Sequence, residues 1–294
     1  MKCVKNCKIQ KIKFYIGDIR DRSSVDDSMS GVDYVFHAAA LKQDPTCEFF
    51  PIQAMQTNVV GSQNVIDSAI HNEVERVVSL STDKAVYPVN ALGNTKALME
   101  RMIQSVARSI PDGKTILSVV RYGNILFTRG SVIPIFIKQI LEQRPLTLTA
   151  PEMSRFWLPL SETVDLVNFA LEHGEQGDIF IRKAAASTLG DIAQALKSIF
   201  KSKYEIRTIG MRHGEKMHET LASKEELARS QYMGDFLRLS MDNRGLNYEK
   251  YLSEGEKKLV QLLDYNSVNS KRMTVKEIEA LLLGQPEIMS TLNK

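Results

Sequence analysis

Two hydroxyls, a carboxylate and an ammonium stand side by side at Ser81, Thr82, Asp83 and Lys84, directly after the apolar, β-branched run Val77–Leu80. A carboxyl group beside an amine can hold and pass protons, and a neighbouring hydroxyl can bind a reacting oxygen. At the carboxyl tip of a buried strand, such groups sit where open α/β sheets bind and transform ligands. A solvated loop would account for the polarity alone. Here, however, strand, cluster and helix follow in the order of a dinucleotide-fold active site. A turn with Pro88 and Asn90 leads into that helix, which carries Lys96 four residues after Leu92, on the same face.

Other residues could serve such a centre. Asp18, in Gly17-Asp18-Ile19-Arg20-Asp21, offers an acceptor for the exocyclic amine of an adenine, whereas Asp21 better suits a helix cap. In His37-Ala38-Ala39-Ala40 the small side chains let a diphosphate or ribose approach the backbone, although they also permit tight helix packing. His37 itself reads as a packed core side chain. Tyr87 is the phenol nearest to Lys96, and reads equally as a half-buried aromatic beside Pro88. In Arg212-His213-Gly214-Glu215-Lys216 a glycine turn sets a guanidinium and a carboxylate three residues apart, for a diphosphate and a ribose diol. In isolation the same run is a charged, solvated helix start. Arg155, inside Ser154-Arg155-Phe156-Trp157-Leu158, is a charge in an apolar run and needs a partner.

Alternating apolar runs and amphipathic helices must position these groups. The pattern predicts strands at Ile12–Ile16, Tyr34–Ala39, Val77–Leu80 and Ile116–Arg121. Between them it predicts helices at Ser23–Met29 (capped by Ser23 or Ser24), Phe50–His71 and Ala91–Ser109. This β-α-β-α order implies a Rossmann-like, doubly wound parallel sheet with right-handed crossovers. Beyond Asn124 the rhythm loosens into a smaller α+β lobe. Helices are expected at Ser131–Glu142, Glu162–His173 and Leu189–Phe200, and short strands at Leu146–Thr149, Asp178–Ile181 and Glu205–Ile209. A charged helical tail begins near Tyr248. The expected division is a partial dinucleotide-binding domain over residues 1–124, with the chain returning at about 161–183, and a substrate lobe and helical extension over 125–294.

The 294 residues suffice for a large core, and a net charge of +3 with both signs interspersed points to neither nucleic acid nor membrane. Cys3, Cys7 and Cys47 are too few for a disulfide framework or a four-ligand zinc site, so no metal is expected. No apolar run approaches the ~18 residues of a membrane span, and no signal peptide is visible. The sequence reads as a cytoplasmic protein.

Taken in order, GDIRD, DYVFHAAALKQ, TNVVGSQNV, LSTDKA, the lysine of LGNTK, RYGN, GSVIPIF, SRF and RHGEK resemble the extended short-chain dehydrogenase/reductase superfamily. More narrowly they resemble its capsule and O-antigen branch: inverting UDP-N-acetylglucosamine 4,6-dehydratases, often labelled UDP-glucose or UDP-N-acetylglucosamine 4-epimerases. The resemblance implies NADP or NAD as cofactor, a UDP-sugar such as UDP-N-acetylglucosamine as substrate, and a homo-oligomer for a full-length chain. It implies a cofactor site of Asp18, Ile19, Ala38, Ala39, Ala40, Lys42, Asn58, Ser81, Lys96 and Tyr122. The UDP-sugar would be held by Asn124, Ser131, Val132, Pro134, Arg155, Arg212 and Glu215. In chemistry it implies that Lys84 takes the carbon 5 proton and Asp83 protonates the departing 6-hydroxyl. Thr82 would bind the 4-oxygen, and Tyr87 is the remaining phenol.

Two departures matter. Where many relatives carry Tyr-x-x-x-Lys, this chain has Leu92 before Lys96, as the UDP-L-fucosamine branch has an apolar Met there. No G-x-G-x-x-G or G-x-x-G-x-x-G occurs in the chain, and only ten residues precede Lys11. The resemblance therefore implies that the first strand–glycine turn–helix–strand unit is missing. Two alternatives to the dehydratase follow: a plain 4-epimerase, or an inactive relic that keeps a UDP-sugar-binding scaffold.

Overall fold

The computed structural model describes residues 12–110, 114–242 and 262–293. Its central sheet has six strands in the order Tyr34–His37, Arg76–Leu80, Ile116–Arg121, Ile179–Arg182, Phe236–Leu239, Ser230–Met233. The first four are parallel, with Tyr34 opposite Arg76, Arg76 opposite Ile116 and Val119 opposite Ile179. Runs such as Val77-Val78 and Val119-Val120 are apolar on both faces because both faces are covered. Val77, Leu117 and Val119 pack on one side with Ile66 of the Gly61–His71 helix and with Met99 and Ile103 of the Ala91–Ser109 helix. Val78, Val120 and Phe180 pack on the other with Leu166 and Ala170 of the Leu160–His173 helix. This is the doubly wound α/β architecture the alternation implied.

The second lobe gathers Ile133 and Phe136 from the Val132–Leu141 helix, Ile192 and Leu196 from Leu189–Ile199, and Ile278 and Leu282 from Val275–Leu283, around Trp157 and Leu146. Two small sheets brace it: Asn124–Ile125, Ser154–Leu158 and Ala186–Thr188 form one, Leu146–Leu148 and Ile206–Thr208 the other. No helix among the described residues is long and apolar enough to cross a membrane.

Several expectations need correction. Ile12–Ile16 is not a strand: Tyr34–His37 pairs only with Arg76–Leu80 among the described residues, and Phe14, Tyr15 and Ile16 are exposed. The helix at Arg22–Met29 is capped by Asp21, whose side chain accepts from the Ser23 N–H, and not by Ser23 or Ser24. Phe50–His71 is not one helix. A short helix at Asp44–Phe49 precedes Pro51–Met55, and a π-helical turn at Gln56–Val60 leads into Gly61–His71. An antiparallel hairpin, Ser230–Met233 with Phe236–Leu239, closes the main sheet and went unread, although its Gly234-Asp235 turn is a hairpin signal. The start of the expected tail helix, 243–261, lies outside the described residues, as do Cys3 and Cys7; helices follow at Val275–Leu283 and Pro286–Leu292.

One buried ionic cluster ties the end of the Ile116–Arg121 strand to the segment that leads into the closing hairpin. Arg121, 1% exposed, grips Glu100 of the Ala91–Ser109 helix through Nε and Nη2, at 3.1 and 2.6 Å. On its other side it grips Glu226 of the Lys224–Leu227 helix at 2.9 and 3.0 Å. It also donates to the Leu221 carbonyl at 2.7 Å. Every arm of the guanidinium fork is used, as burial of a charge requires.

Candidate active site

The parallel strand Arg76–Leu80 ends in a 3₁₀ turn, Asp83–Ala85, capped by Thr82, whose Oγ1 accepts the Lys84 N–H. That turn is pressed against the start of the Ala91–Ser109 helix. A Cβ on Gly93 would collide with the Lys84 carbonyl, so glycine there permits the approach. Asp83 is fully buried, with Oδ1 accepting from Thr82 Oγ1 at 3.0 Å and lying 3.7 Å from Lys84 Nζ. Burial raises the Asp83 carboxyl pKa above the usual range, against the opposing pull of Lys84. Burial works to lower the Lys84 pKa, but Asp83, Glu219 and Asp44 outweigh it, and the ammonium is held above its ordinary range.

Lys84 opens onto a cavity of about 360 Å³ between the lobes. Lys42, Asp44, Asn124, Ser131, Val132, Arg155, Trp157, Arg212, Glu215, Lys216 and Glu219 share its wall. Five buried polar atoms in or beside it have no hydrogen-bond partner among the described residues: Asp44 Oδ1, Asp83 Oδ2, Asn124 Oδ1, Ser131 Oγ and Trp157 Nε1. Each such atom costs on the order of 1–3 kcal/mol, so their gathering marks a wall built for a polar guest. Acceptors suit sugar hydroxyls, and the surrounding cations suit a diphosphate.

Most of the residues expected to hold the UDP-sugar come together here. Arg155 finds the partners its burial demanded: Glu219 at 3.8 Å and the carbonyls of Ser154, Met217 and Lys216. Arg212 leaves 67% of its side chain exposed, 3.7 Å from Glu215, on a loop turned by Gly214 at φ +75°. Pro134 is not on the wall; Val132 and Ile135 of the same helix are. Tyr87 is not brought in either. Its φ is +48°, its phenol donates to Asp264 Oδ1 at 3.2 Å, and burial pushes its pKa up to about 12, the wrong direction for a base. Sequence reasoning missed Asp44, Lys216 and Glu219. The charges of Lys216 and Glu219 meet at 3.3 Å in a stretch that is not helical, so helical spacing gave no signal for them.

The expected cofactor residues divide. Asp18, Ile19, His37, Ala38 and Ala39 line one open groove of about 420 Å³ beside the sheet edge. Ala38 and Ala39 are exposed, leaving the backbone approachable, and Ala40 follows half-buried. Asp18 holds Arg20 through both carboxylate oxygens, which lowers its pKa to about 2. Lys96 is buried on the Leu80 carbonyl at 2.7 Å, and burial lowers its pKa to about 8. Other members are already committed within the protein. The Asn58 amide is tied to both backbone groups of Leu41 and to Thr95, so it holds the loop after His37. The Ser81 hydroxyl donates to Glu100, the Tyr122 phenol is buried with a raised pKa, and Lys42 lies on the substrate cavity. Asp18, Ile19, Ala38 and Ala39 leave an open groove whose size and approachable backbone fit the adenosine end of a dinucleotide; Lys96, committed to the Leu80 carbonyl, lines neither this groove nor the cavity. Among the described residues no cluster of His, Cys, Asp and Glu could hold a metal ion.

A doubly wound parallel sheet with such a groove, and a charged cavity at its carboxyl ends, has the fold of the extended short-chain dehydrogenase/reductases. Solved structures share it: Pen from Bacillus thuringiensis superimposes with a TM-score of 0.83 at 33% identity, covering 97% of this chain and 85% of that one. DesIV, a dTDP-glucose 4,6-dehydratase from Streptomyces venezuelae with NAD and TYD bound, superimposes at 0.67 and 21% identity, covering 73% of this chain and 72% of that one. The chain belongs to the polysaccharide biosynthesis protein family, whose profile matches residues 1–241 and whose C-terminal profile matches 242–289. Among its relatives, the UDP-glucose 4-epimerase of Rickettsia felis is 55% identical over 282 residues, covering 96% of this chain and 83% of that protein. The Rickettsia typhi protein of the same name is 56% identical over 273 residues, 93% of this chain and 80% of that one.

Proposed function

We propose that this chain is a UDP-sugar-modifying enzyme that removes water from UDP-N-acetylglucosamine by 4,6-dehydration with inversion at carbon 5. The observation that carries the reading is the Asp83–Lys84 pair, with Lys84 on the wall of the polar cavity and 3.7 Å from Asp83. Dehydration needs a base for the carbon 5 proton and an acid for the leaving 6-hydroxyl; simple 4-epimerisation needs neither. A nicotinamide dinucleotide, when bound, would supply the hydride acceptor for carbon 4 and the hydride donor for carbon 6, so the 4-keto group is kept in the product.

The chain's own residues do the rest. Lys84 Nζ takes the carbon 5 proton, the carbon 5–carbon 6 double bond forms, and the 6-hydroxyl leaves as water with the proton of Asp83. Burial favours the protonated carboxyl that this donation requires. Thr82 Oγ1 would have to turn from Asp83 Oδ1 to reach the 4-oxygen, while Arg155, Arg212 and Glu215 hold the UDP. Because neighbouring carboxylates keep Lys84 protonated, its base form is gained as pH rises, and turnover rises with it until Asp83 loses the proton it must donate.

The names of the Rickettsia relatives favour a second reading, plain 4-epimerisation. Mass spectrometry of the sugar nucleotide after incubation with NAD or NADP separates the two, since only dehydration lowers the mass by one water. Asp83→Asn and Lys84→Ala are each expected to slow that product by roughly 10²–10⁴-fold. Native-rate product from both variants would remove the pair from the chemistry.

A further inference from the structure

Glu219 has no role in the chemistry above, yet it is the most heavily engaged carboxylate on the cavity wall. It directly precedes the Thr220–Ala222 strand, and its backbone is locked both ways. Its N–H donates to Ser267 Oγ at 3.0 Å, and its carbonyl accepts the Ser267 N–H at 2.8 Å. The side chain, 2% exposed, faces three cations: Lys216 at 3.3 Å, Arg155 at 3.8 Å and Lys84 at 3.9 Å. Arg155 and Lys216 have second anchors on backbone carbonyls, Lys216 on Val86 at 2.6 Å. Lys84 is held differently. Its Nζ stands between Asp83 from its own turn and Glu219 from the segment before the Thr220–Ala222 strand, with Asp44 the further acid and Arg155 the opposing cation near it.

We propose that Glu219 is a positioning residue for Lys84: it draws the ammonium over the cavity and sets the pH at which that group becomes a base. The reaction assigned to Lys84 rests on the function proposed above, but the effect of Glu219 on Lys84 does not. A carboxylate within 4 Å favours the charged amine, and removing its charge frees the proton. Lys216 and Arg155 compete for the same carboxylate, so the strength of its hold on Lys84 depends on how many cations share it.

Competitive acetylation with acetic anhydride, read peptide by peptide in the full chain, tests this without turnover, because 22% of the Lys84 side chain is exposed. In Glu219→Gln the reactivity of Lys84 should titrate at least about one pH unit lower than in the parent chain. Glu219→Asp, which keeps the charge, should hold it near the parent value. Lys216→Gln removes a competitor and should move it upward. The low-pH limb of kcat for sugar-nucleotide conversion should follow the labelling in each variant, whereas a merely structural role would lower kcat without moving the limb. Unmoved Lys84 labelling in Glu219→Gln, or a downward shift in Lys216→Gln, overturns the proposal. Shifted labelling without any dehydrated product would instead overturn the dehydratase reading and leave Glu219 in its place.

Discussion

The substrate cavity and the groove beside the sheet edge are built on opposite terms. The cavity is walled by both lobes, crowded with charges that face one another, and lined with buried polar atoms that lack partners. The groove is shallow, framed by small side chains, and its one conspicuous carboxylate, Asp18, is already engaged by Arg20. The contrast teaches where binding energy is stored. Charges held apart from water interact strongly and are costly to leave unmatched, whereas an exposed ion pair is worth little. In the function proposed above, discrimination between sugar nucleotides therefore belongs to the cavity, and the groove supplies shape.

The comparison breaks most visibly at His37, which lies on the groove but is buried, its Nε2 2.8 Å from Ser62 Oγ. Burial lowers its pKa to about 4, with Lys96 adding to the effect. The native state thus keeps the ring neutral where the unfolded chain takes up a proton. This contribution to stability is whole above about pH 6.5 and is lost as pH falls from there through about 4, by roughly 3 kcal/mol in total. Urea unfolding at pH 7 and pH 4.5 measures it, and His37→Gln should flatten the dependence. An unchanged slope would make His37 as inconsequential as the rest of the groove.

A second effect sharpens the contrast from the cavity side. Arg212 is mostly exposed and meets Glu215 only at 3.7 Å, so it is free to turn onto a diphosphate. Arg212→Ala should cost about 2 kcal/mol of UDP affinity by calorimetry, the size of a charge-assisted hydrogen bond. Unaltered affinity would take Arg212 out of the site and leave Arg155 as the anchor. The smallest effect belongs to Asp18. Asp18→Ala should leave the thermal unfolding midpoint essentially unchanged, because the lost pair is exposed. A marked drop in that midpoint would show that the groove rim carries structural load.

Lys84 could be found from sequence because everything that marks it is local: an apolar run, an abrupt polar cluster, a turn and a helix. The same locality made the Ala91–Ser109 helix and the Ile116–Arg121 strand readable to the residue. Asp44 heads the Asp44–Phe49 helix and Lys216 and Glu219 lie far further along the chain, so nothing local to Lys84 says that they converge on it. Asn58 shows the reverse error. An amide read as facing a ligand is spent on the backbone of Leu41, a choice only the π-helical turn at Gln56–Val60 reveals. Ile12–Ile16 has the composition of a strand, but pairing decides strands, and no described neighbour offers it an edge.

The clamp at Arg121 bears on how segments could be traded between relatives. One guanidinium, rooted at the end of the Ile116–Arg121 strand, is shared by an acid from the Ala91–Ser109 helix and an acid from the Lys224–Leu227 helix. Recombining two relatives anywhere between residues 121 and 226 therefore splits a three-body charge set, not a mere packing surface. A chimera that brings a foreign residue to position 226 strands Arg121 with half its complement; one that loses the arginine buries two facing carboxylates, at about 3–5 kcal/mol. The stretch after Arg121 is transferable only together with its acid at position 226, so the unit of exchange is larger than the cavity it carries.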